Sequence, residues 1–197
     1  MADATLEEFL SRVTEHLAGL KRDKYNSTSW RYENRPTGEG LGLKPGVSVD
    51  PEAMVARIMD AGEYASNVKY VEKTEIAEQG DNYVVYTQKV KLPALGGIQF
   101  VIKLQDLGTR DGYRVVGWEQ IDDLTMELDK KHGGARTEYN LGAWLVKEDE
   151  VAYSLSAAPL KSDVGTLKYK VMTKGADATV SSVLLDNIDS MIAWSQR

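Results

Sequence analysis

At 197 residues, 42% of them hydrophobic, the chain is long enough to bury one full core as a single domain. Thirty acidic residues against 24 basic ones leave a formal charge of -6, which opposes a phosphate backbone and argues against nucleic acid as a partner. Cysteine is absent, Met1 to Leu20 has charges where a signal peptide needs an apolar core, and no apolar run reaches the roughly 18 residues of a membrane span; thiol chemistry is thereby excluded, and the expectation is a soluble cytoplasmic protein with at most transient membrane contact.

Residues 4–20 predict an amphipathic helix, because Leu6, Phe9, Leu10, Val13, Leu17 and Leu20 recur every three or four positions, with Thr5 and Glu8 spaced as a capping box. Such a stripe is expected to dock on its own domain. From Tyr25 to Gly46 the periodicity fades into a Gly- and Pro-bearing stretch. Gly38, Gly40 and Gly42 lack the G-x-x-x-x-G-K-[ST] and G-x-G-x-x-G contexts, and Pro45 follows in place of a helix, so they are not read as a phosphate loop. Val47 and Val49 predict a short strand. Asp50-Pro51 then opens a helix, Asp as N-cap and Pro at the first helical position, with Met54, Val55, Ile58 and Met59 on its buried side and a decay near 62–67.

The period then changes to two. Strands are expected near 69–77, 82–92, 97–106, 113–129, 134–147 and 150–158, separated by turn-rich clusters such as Gln79-Gly80-Asp81-Asn82 and Ala94-Leu95-Gly96-Gly97. Val84, Tyr86, Val90 and Leu92 oppose Thr87, Lys89 and Lys91; Phe100, Ile102 and Leu104 oppose Lys103 and Gln105. A two-residue turn at Lys131-His132-Gly133-Gly134 would pair Trp118 with Leu145 and Gln120 with Ala143. That register places Trp118, Gln120, Leu124, Met126 and Leu128 on one face with Tyr139, Leu141, Ala143 and Leu145, leaving Asn140, Ile121 and Trp144 on the other. For the last strand two facings stay open: Ala152, Ser154, Ser156 and Ala158 inward, or Tyr153, Leu155 and Ala157. From Val164 to Trp194 helical spacing returns through Leu167, Val171, Val180, Val183, Leu184, Leu185, Ile188, Met191 and Ile192, with Ser162 or Asp163 as cap and a bend or break at Gly175.

The order short strand, helix, meander of six strands, long C-terminal helix, with Val49-Asp50-Pro51-Glu52-Ala53-Met54-Val55 leading to Asp60, resembles the START-like superfamily of helix-grip, polyketide cyclase-like (SRPBCC) proteins. Gly142-Ala143-Trp144-Leu145, Val151-Ala152-Tyr153 and Pro159 also look like that superfamily's last two strands. The resemblance spans roughly 40–195. It implies an α+β helix-grip fold in residues 40–197, a curved antiparallel sheet of about seven strands around a long C-terminal helix, preceded over 1–39 by an extra N-terminal helix and an irregular extension. It also implies a hydrophobic ligand, since the superfamily includes lipid and sterol carriers, hormone receptors, aromatase/cyclases and the catalytic domains of ring-hydroxylating dioxygenases, although fold alone does not fix function.

The residues narrow that range. A mononuclear iron site wants two His and a carboxylate, whereas the only histidines are His16, on the first helix, and His132, in a turn; no metal and no cofactor is expected. Neither histidine has a G-x-S-x-G elbow to serve. A cyclase would need proton-moving groups in the cavity, for which Tyr86, Asp122, Arg136 and Tyr139 are the candidates. Ligand binding asks less: Gln88, Gln120 and Asp122 on an otherwise apolar inward face suggest water or a ligand's polar end, with Tyr86, Phe100, Ile102, Trp118, Tyr139 and Leu141 as apolar wall. The favoured reading is a non-enzymatic carrier or sensor of a lipid, isoprenoid or polyketide. The alternatives are an aromatase/cyclase-like enzyme and an interaction module using residues 1–39; the oligomeric state is left open.

Overall fold

The computed structural model describes residues 5–33, 35–92, 96–129 and 133–197. The expected turns at Ala94-Leu95 and at Lys131-His132 fall outside them. Helix α1 (Leu6–Ala18) starts from the anticipated capping box, in which the Thr5 side chain accepts from the Glu8 N–H and the Glu8 carboxylate accepts from the Thr5 N–H. Helix α2 (Pro51–Met59) starts from Asp50, whose carboxylate accepts from the N–H groups of Glu52 and Ala53. A 3-10 turn (Ala61–Glu63) and the short α3 (Tyr64–Asn67) lead into the meander.

The strands are β1 (Asn26–Trp30), β2 (Glu39–Pro45), β3 (Val71–Gln79), β4 (Tyr83–Leu92), β5 (Gly96–Arg110), β6 (Tyr113–Gln120), β7 (Ala135–Val146) and β8 (Glu150–Pro159), with α4 (Asp122–Glu127) between β6 and β7 and α5 (Lys161–Ser195) at the end. They form one sheet in the order β1-β2-β8-β7-β6-β5-β4-β3, antiparallel apart from a short parallel contact of β5 with β7 at Ile98 and Ala135. The concave face meets α2, α3 and α5. Its core includes Met54, Ile58, Val84, Tyr86, Ile102, Leu104, Val116, Trp144, Leu184, Ile188 and Met191.

The convex face carries a second core, in which Leu6, Phe9, Leu10, Val13 and Leu17 of α1 cover Leu41, Leu43, Val115, Leu141, Ala143, Leu145 and Ala152. Each fully buried Leu, Val or Phe contributes roughly 1.5–3 kcal/mol before conformational entropy is subtracted. Ion pairs fix the helix along its length. Arg110 grips Glu7 at 2.8 Å, Arg12 grips Glu39 at 2.7 Å, and Arg22, just beyond the helix, reaches Glu150 at 2.9 Å. Glu39 is fully buried and also accepts from the Trp30 indole N–H at 2.7 Å.

Several expectations need correction. The stretch from Tyr25 to Gly46 contains β1 and β2, making eight strands where about seven were expected, and the strand lies at 39–45 instead of at Val47 and Val49. Its alternation is hidden because Leu41 and Leu43 face α1 while Gly40 and Gly42 face α5. A Cβ on Gly40 would sit 2.4 Å from Val180 Cγ2, so the close helix approach requires a glycine.

The strand expected over 113–129 stops at Gln120, and α4 follows. Thr125 of α4 takes the next ladder positions on β5: its hydroxyl accepts from Val101 N–H at 3.0 Å and donates to Val101 O at 3.2 Å. The β6–β7 register pairs Trp118 with Gly142 and Val116 with Trp144, three residues from the expected one, so every β7 side chain changes face. Trp144 therefore points inward and Leu141 outward. In β8 the second of the two open facings is found, with Tyr153, Leu155 and Ala157 inward.

In α5 the break falls at Gly165, whose φ of 74° and ψ of 164° are non-helical, and not at Gly175. The cap position belongs to Leu160, with no side-chain bond, and Asp163 instead holds Arg136 at 2.7 Å. Leu167 is 80% and Val171 59% exposed, so the buried stripe is narrower than its periodicity implies.

Candidate ligand-binding site

Between the concave face and α5 lies a cavity of about 160 Å³. Its walls are inward positions of β4 (Tyr86, Gln88, Val90, Leu92), β5 (Ile98, Phe100, Ile102, Leu104), β6 (Trp118), β7 (Asn140, Trp144) and β8 (Tyr153, Leu155, Ala157). The roof is one face of α5, where Ala176, Val180, Val183, Asn187 and Met191 recur at helical spacing. Tyr64, Val68 and Lys69 close one end; Ser29, Thr37, Gly38 and Asp177 line the other.

Aromatic rings form much of the wall. Tyr153 stacks on Trp118 at 5.5 Å and packs tilted against Trp144 at 4.2 Å, and Tyr64 meets Tyr86 edge-on at 5.8 Å. Gly142, opposite Trp118, makes this possible: a Cβ there would fall 1.8 Å from Trp118 Cζ2. The indole N–H of Trp118 donates to Asn140 Oδ1 at 2.9 Å. Burial pushes the phenol pKa values of Tyr64, Tyr86 and Tyr153 up, so all three stay protonated at neutral pH. The Tyr64 hydroxyl donates to Ile58 O.

Charge is confined to the two ends and is paired there. Lys69 binds Asp186 at 2.8 Å, and Asp177 binds Arg31 and accepts from the Gly38 N–H at 2.9 Å. Asp186 is held below the ordinary carboxylate range, first by its hydrogen bond from Lys69 and then by that from Tyr70. Deeper in, among the described residues, no protein group takes a hydrogen bond from the Gln88 amide, which is 7% exposed, or from the Tyr153 hydroxyl. No group of three His, Cys, Asp or Glu side chains that could hold a metal converges among them either.

Of the residues singled out in the sequence, Tyr86, Gln88, Phe100, Ile102 and Trp118 line the cavity. The other four lie elsewhere. Gln120 donates to Asp122 Oδ1 at 2.8 Å and accepts from Thr137 at the end of β6, and Asp122 is exposed on α4. Tyr139 sits behind Thr37, bonded hydroxyl to hydroxyl at 2.6 Å, with the Arg35 guanidinium 4.4 Å from its ring. Leu141 lies beneath α1. Arg136 is bound by Asp163, and His16 stacks on Trp30 at 3.8 Å on the convex side. The expected cyclase set of Tyr86, Asp122, Arg136 and Tyr139 is thus not brought together. Sequence reasoning missed Asn140, Trp144 and Tyr64; the first two follow from the register, and nothing in the 62–67 stretch signalled the third.

No protein-family model matches this sequence, and no curated protein matches it either. Solved structures do. The STAR-related lipid transfer protein of Xanthomonas axonopodis superposes with a TM-score of 0.70 at 16% identity, over 90% of this chain and 97% of that one. Human STARD10 gives 0.69 at 12% identity over 100% and 83%. The Zhui aromatase/cyclase of a Streptomyces species gives 0.55 at 14% identity over 88% and 94%. The chain has the START-like helix-grip fold. No helix among the described residues is long and apolar enough to cross a membrane.

Proposed function

We propose that this chain binds a hydrophobic small molecule in the cavity under α5, as a carrier or sensor. The observation that carries the reading is a cavity walled by hydrocarbon and aromatic rings that also holds the Gln88 and Tyr153 polar groups without protein partners. In a core built only for packing, each such group would cost about 1–3 kcal/mol; a ligand's polar end removes that penalty. Binding is favoured over cyclisation because Asp122, Arg136 and Tyr139 are each engaged or exposed outside the cavity. An interaction arm at residues 1–39 is disfavoured because the apolar face of α1 is already buried on β2, β6 and β7.

Size favours a compact ligand. The 160 Å³ available is close to the ~150 Å³ that accommodates benzene and below the ~300–1,000 Å³ of drug-sized sites. An isoprenoid or polyketide ring system fits this space better than a two-chain lipid, which would need α5 to lift. Native mass spectrometry of gently purified protein, together with displacement of an environment-sensitive apolar dye, tests the proposal; Leu155→Trp, which fills the cavity, is expected to abolish dye uptake while the fold persists. Absence of any uptake by the wild-type protein ends this reading.

A further inference from the structure

Beside Trp118 the polar groups of the cavity are biased toward donation, and the cause is the indole. An indole N–H can only donate, so its 2.9 Å bond fixes Asn140 with Oδ1 toward the ring. The remaining Asn140 amide group, Nδ2, is then a pure donor; the residue is 3% exposed, lines the cavity, and among the described residues nothing accepts from Nδ2. Tyr153, stacked on the same indole at 5.5 Å, adds a hydroxyl that is also without a protein partner.

No free cation accompanies these donors. Among the described residues the one basic side chain lining the cavity is Lys69, at its end and paired with Asp186. A carboxylate or phosphate brought inside would lose its hydration without gaining a counter-charge. A neutral oxygen acceptor loses little, because the donors replace its water.

From this, and resting on the reading of the cavity as a ligand site, we propose that Asn140, oriented by Trp118, and Tyr153 form a carbonyl-oxygen subsite, so that the ligand is an uncharged, ring-sized ketone, quinone or related carbonyl compound. The rings of Trp118, Tyr153 and Trp144 cover its hydrocarbon part. Trp118 acts as a positioning residue, since it sets which edge of Asn140 faces the cavity. A fatty acid, whose acceptor is anionic, is excluded by the same arrangement.

Three probes sharing one skeleton separate the possibilities: tetralin, the ketone tetralone, and the anion of tetralin carboxylic acid, each titrated calorimetrically into the full chain. Tetralone is expected to bind about tenfold tighter than tetralin, the increment of one or two good hydrogen bonds, and the carboxylate weakest of the three. In Asn140→Leu the ratio of tetralone to tetralin affinity is expected to fall to about one. Should that variant fail to fold, Tyr153→Phe, which keeps the ring, is expected to lower the ratio of tetralone to tetralin affinity about threefold. Equal affinity of wild-type protein for tetralone and tetralin overturns the subsite, leaving Asn140 and Tyr153 a place for trapped water, with the cavity reading intact. Tightest binding of the carboxylate overturns the neutral class. Binding of none of the three overturns the subsite together with the function on which it rests.

Discussion

Gly142→Ala is the smallest change expected to disturb both the fold and the site. A methyl group at position 142 would lie 1.8, 2.2 and 2.4 Å from three atoms of the Trp118 ring, well inside van der Waals contact. Trp118 is 5% exposed and held by Asn140 and Tyr153, so it cannot move without losing something. Overpacking costs about 1–3 kcal/mol, the hydrogen bond about 0.5–1.5 and the aromatic pair about 0.5–1.5. The sum is about 2–6 kcal/mol; a central loss of about 4 kcal/mol lowers the melting temperature of a chain of this size by about 8–16 °C. The double-mutant cycle with Trp118→Ala isolates the cause. Trp118→Ala alone should lose about 3–5 kcal/mol, and in that background Gly142→Ala should cost almost nothing because nothing remains to clash with. Urea unfolding followed by far-ultraviolet circular dichroism gives all four corners without relying on tryptophan emission. Additivity to within about 0.5 kcal/mol, or a Gly142→Ala melt indistinguishable from wild type, would refute the reasoning.

Three further outcomes follow from other parts of the molecule. Glu39→Ala removes a fully buried carboxylate from Arg12 and Trp30, leaving the Arg12 guanidinium without its counter-charge; unfolding experiments should record a loss of about 3–5 kcal/mol, and Glu39→Gln a smaller one because it can still accept from Trp30. Of the ten tyrosines, Tyr64, Tyr86 and Tyr153 are raised by burial and Tyr113 is pushed up to about 12, first by burial and then by its bond to Glu150. A raised phenol pKa favours the folded state below the ordinary value near 10 and loses that contribution as pH climbs through the folded value. Tyr25, Tyr70, Tyr83, Tyr139 and Tyr169 are raised as well, so phenolate absorbance should lag behind that of free tyrosine, its last part rising together with loss of the dichroism signal; a single ordinary step with dichroism unchanged counts against the burial. Gly165→Ala should destabilise by about 1–3 kcal/mol because φ there is positive, whereas Gly175→Ala, inside continuous helix, should stabilise by up to about 1 kcal/mol; reversed signs in thermal melts would place the break at Gly175 after all.

The parts of the fold readable in the sequence are those where one face meets water. α1 and α2 carry cap residues and a single apolar stripe, and β4 sets Lys89 and Lys91 against Tyr86 and Val90, so the helix starts and the inward face of β4 are read correctly. Reading fails where both faces are covered. β7 has Trp144 in the concave core and Leu141, Ala143 and Leu145 beneath α1, so hydrophobicity cannot tell inside from outside and a register shifted by three residues looks equally sound. Asn140 then falls on the wrong face, and with it the residue that orients the polar end of the cavity. β2 is lost for the converse reason: its inward residues are Gly40 and Gly42, chosen for closeness to α5 and invisible to any hydrophobic pattern.

The two-sided covering of the sheet also explains how the chain tolerates an unfilled interior. A concave face that leaves Gln88 and Tyr153 unpartnered forgoes dispersion contacts and hydrogen bonds there. The convex face offsets this with the apolar side of an amphipathic helix, held on and just beyond the helix by three guanidinium–carboxylate pairs, two of them to the buried carboxylates Glu39 and Glu150. β2, β6, β7 and β8 belong to both layers, so α1 holds the strands that wall the cavity from behind, where no ligand reaches. Rigidity placed on the convex side leaves α5 as the element able to move. It is broken at Gly165, and its first half exposes Leu167 and Val171, whereas the second half buries Leu184, Ile188 and Met191. Opening of the cavity is therefore expected to begin at the Thr37 and Asp177 end, where the first half of α5 buries Met172 and is otherwise tied by Arg31 and the Gly38 N–H to Asp177, and not at the Tyr64 end, where Leu184, Ile188 and Met191 are buried and Trp194 packs on Tyr64 at 6.1 Å.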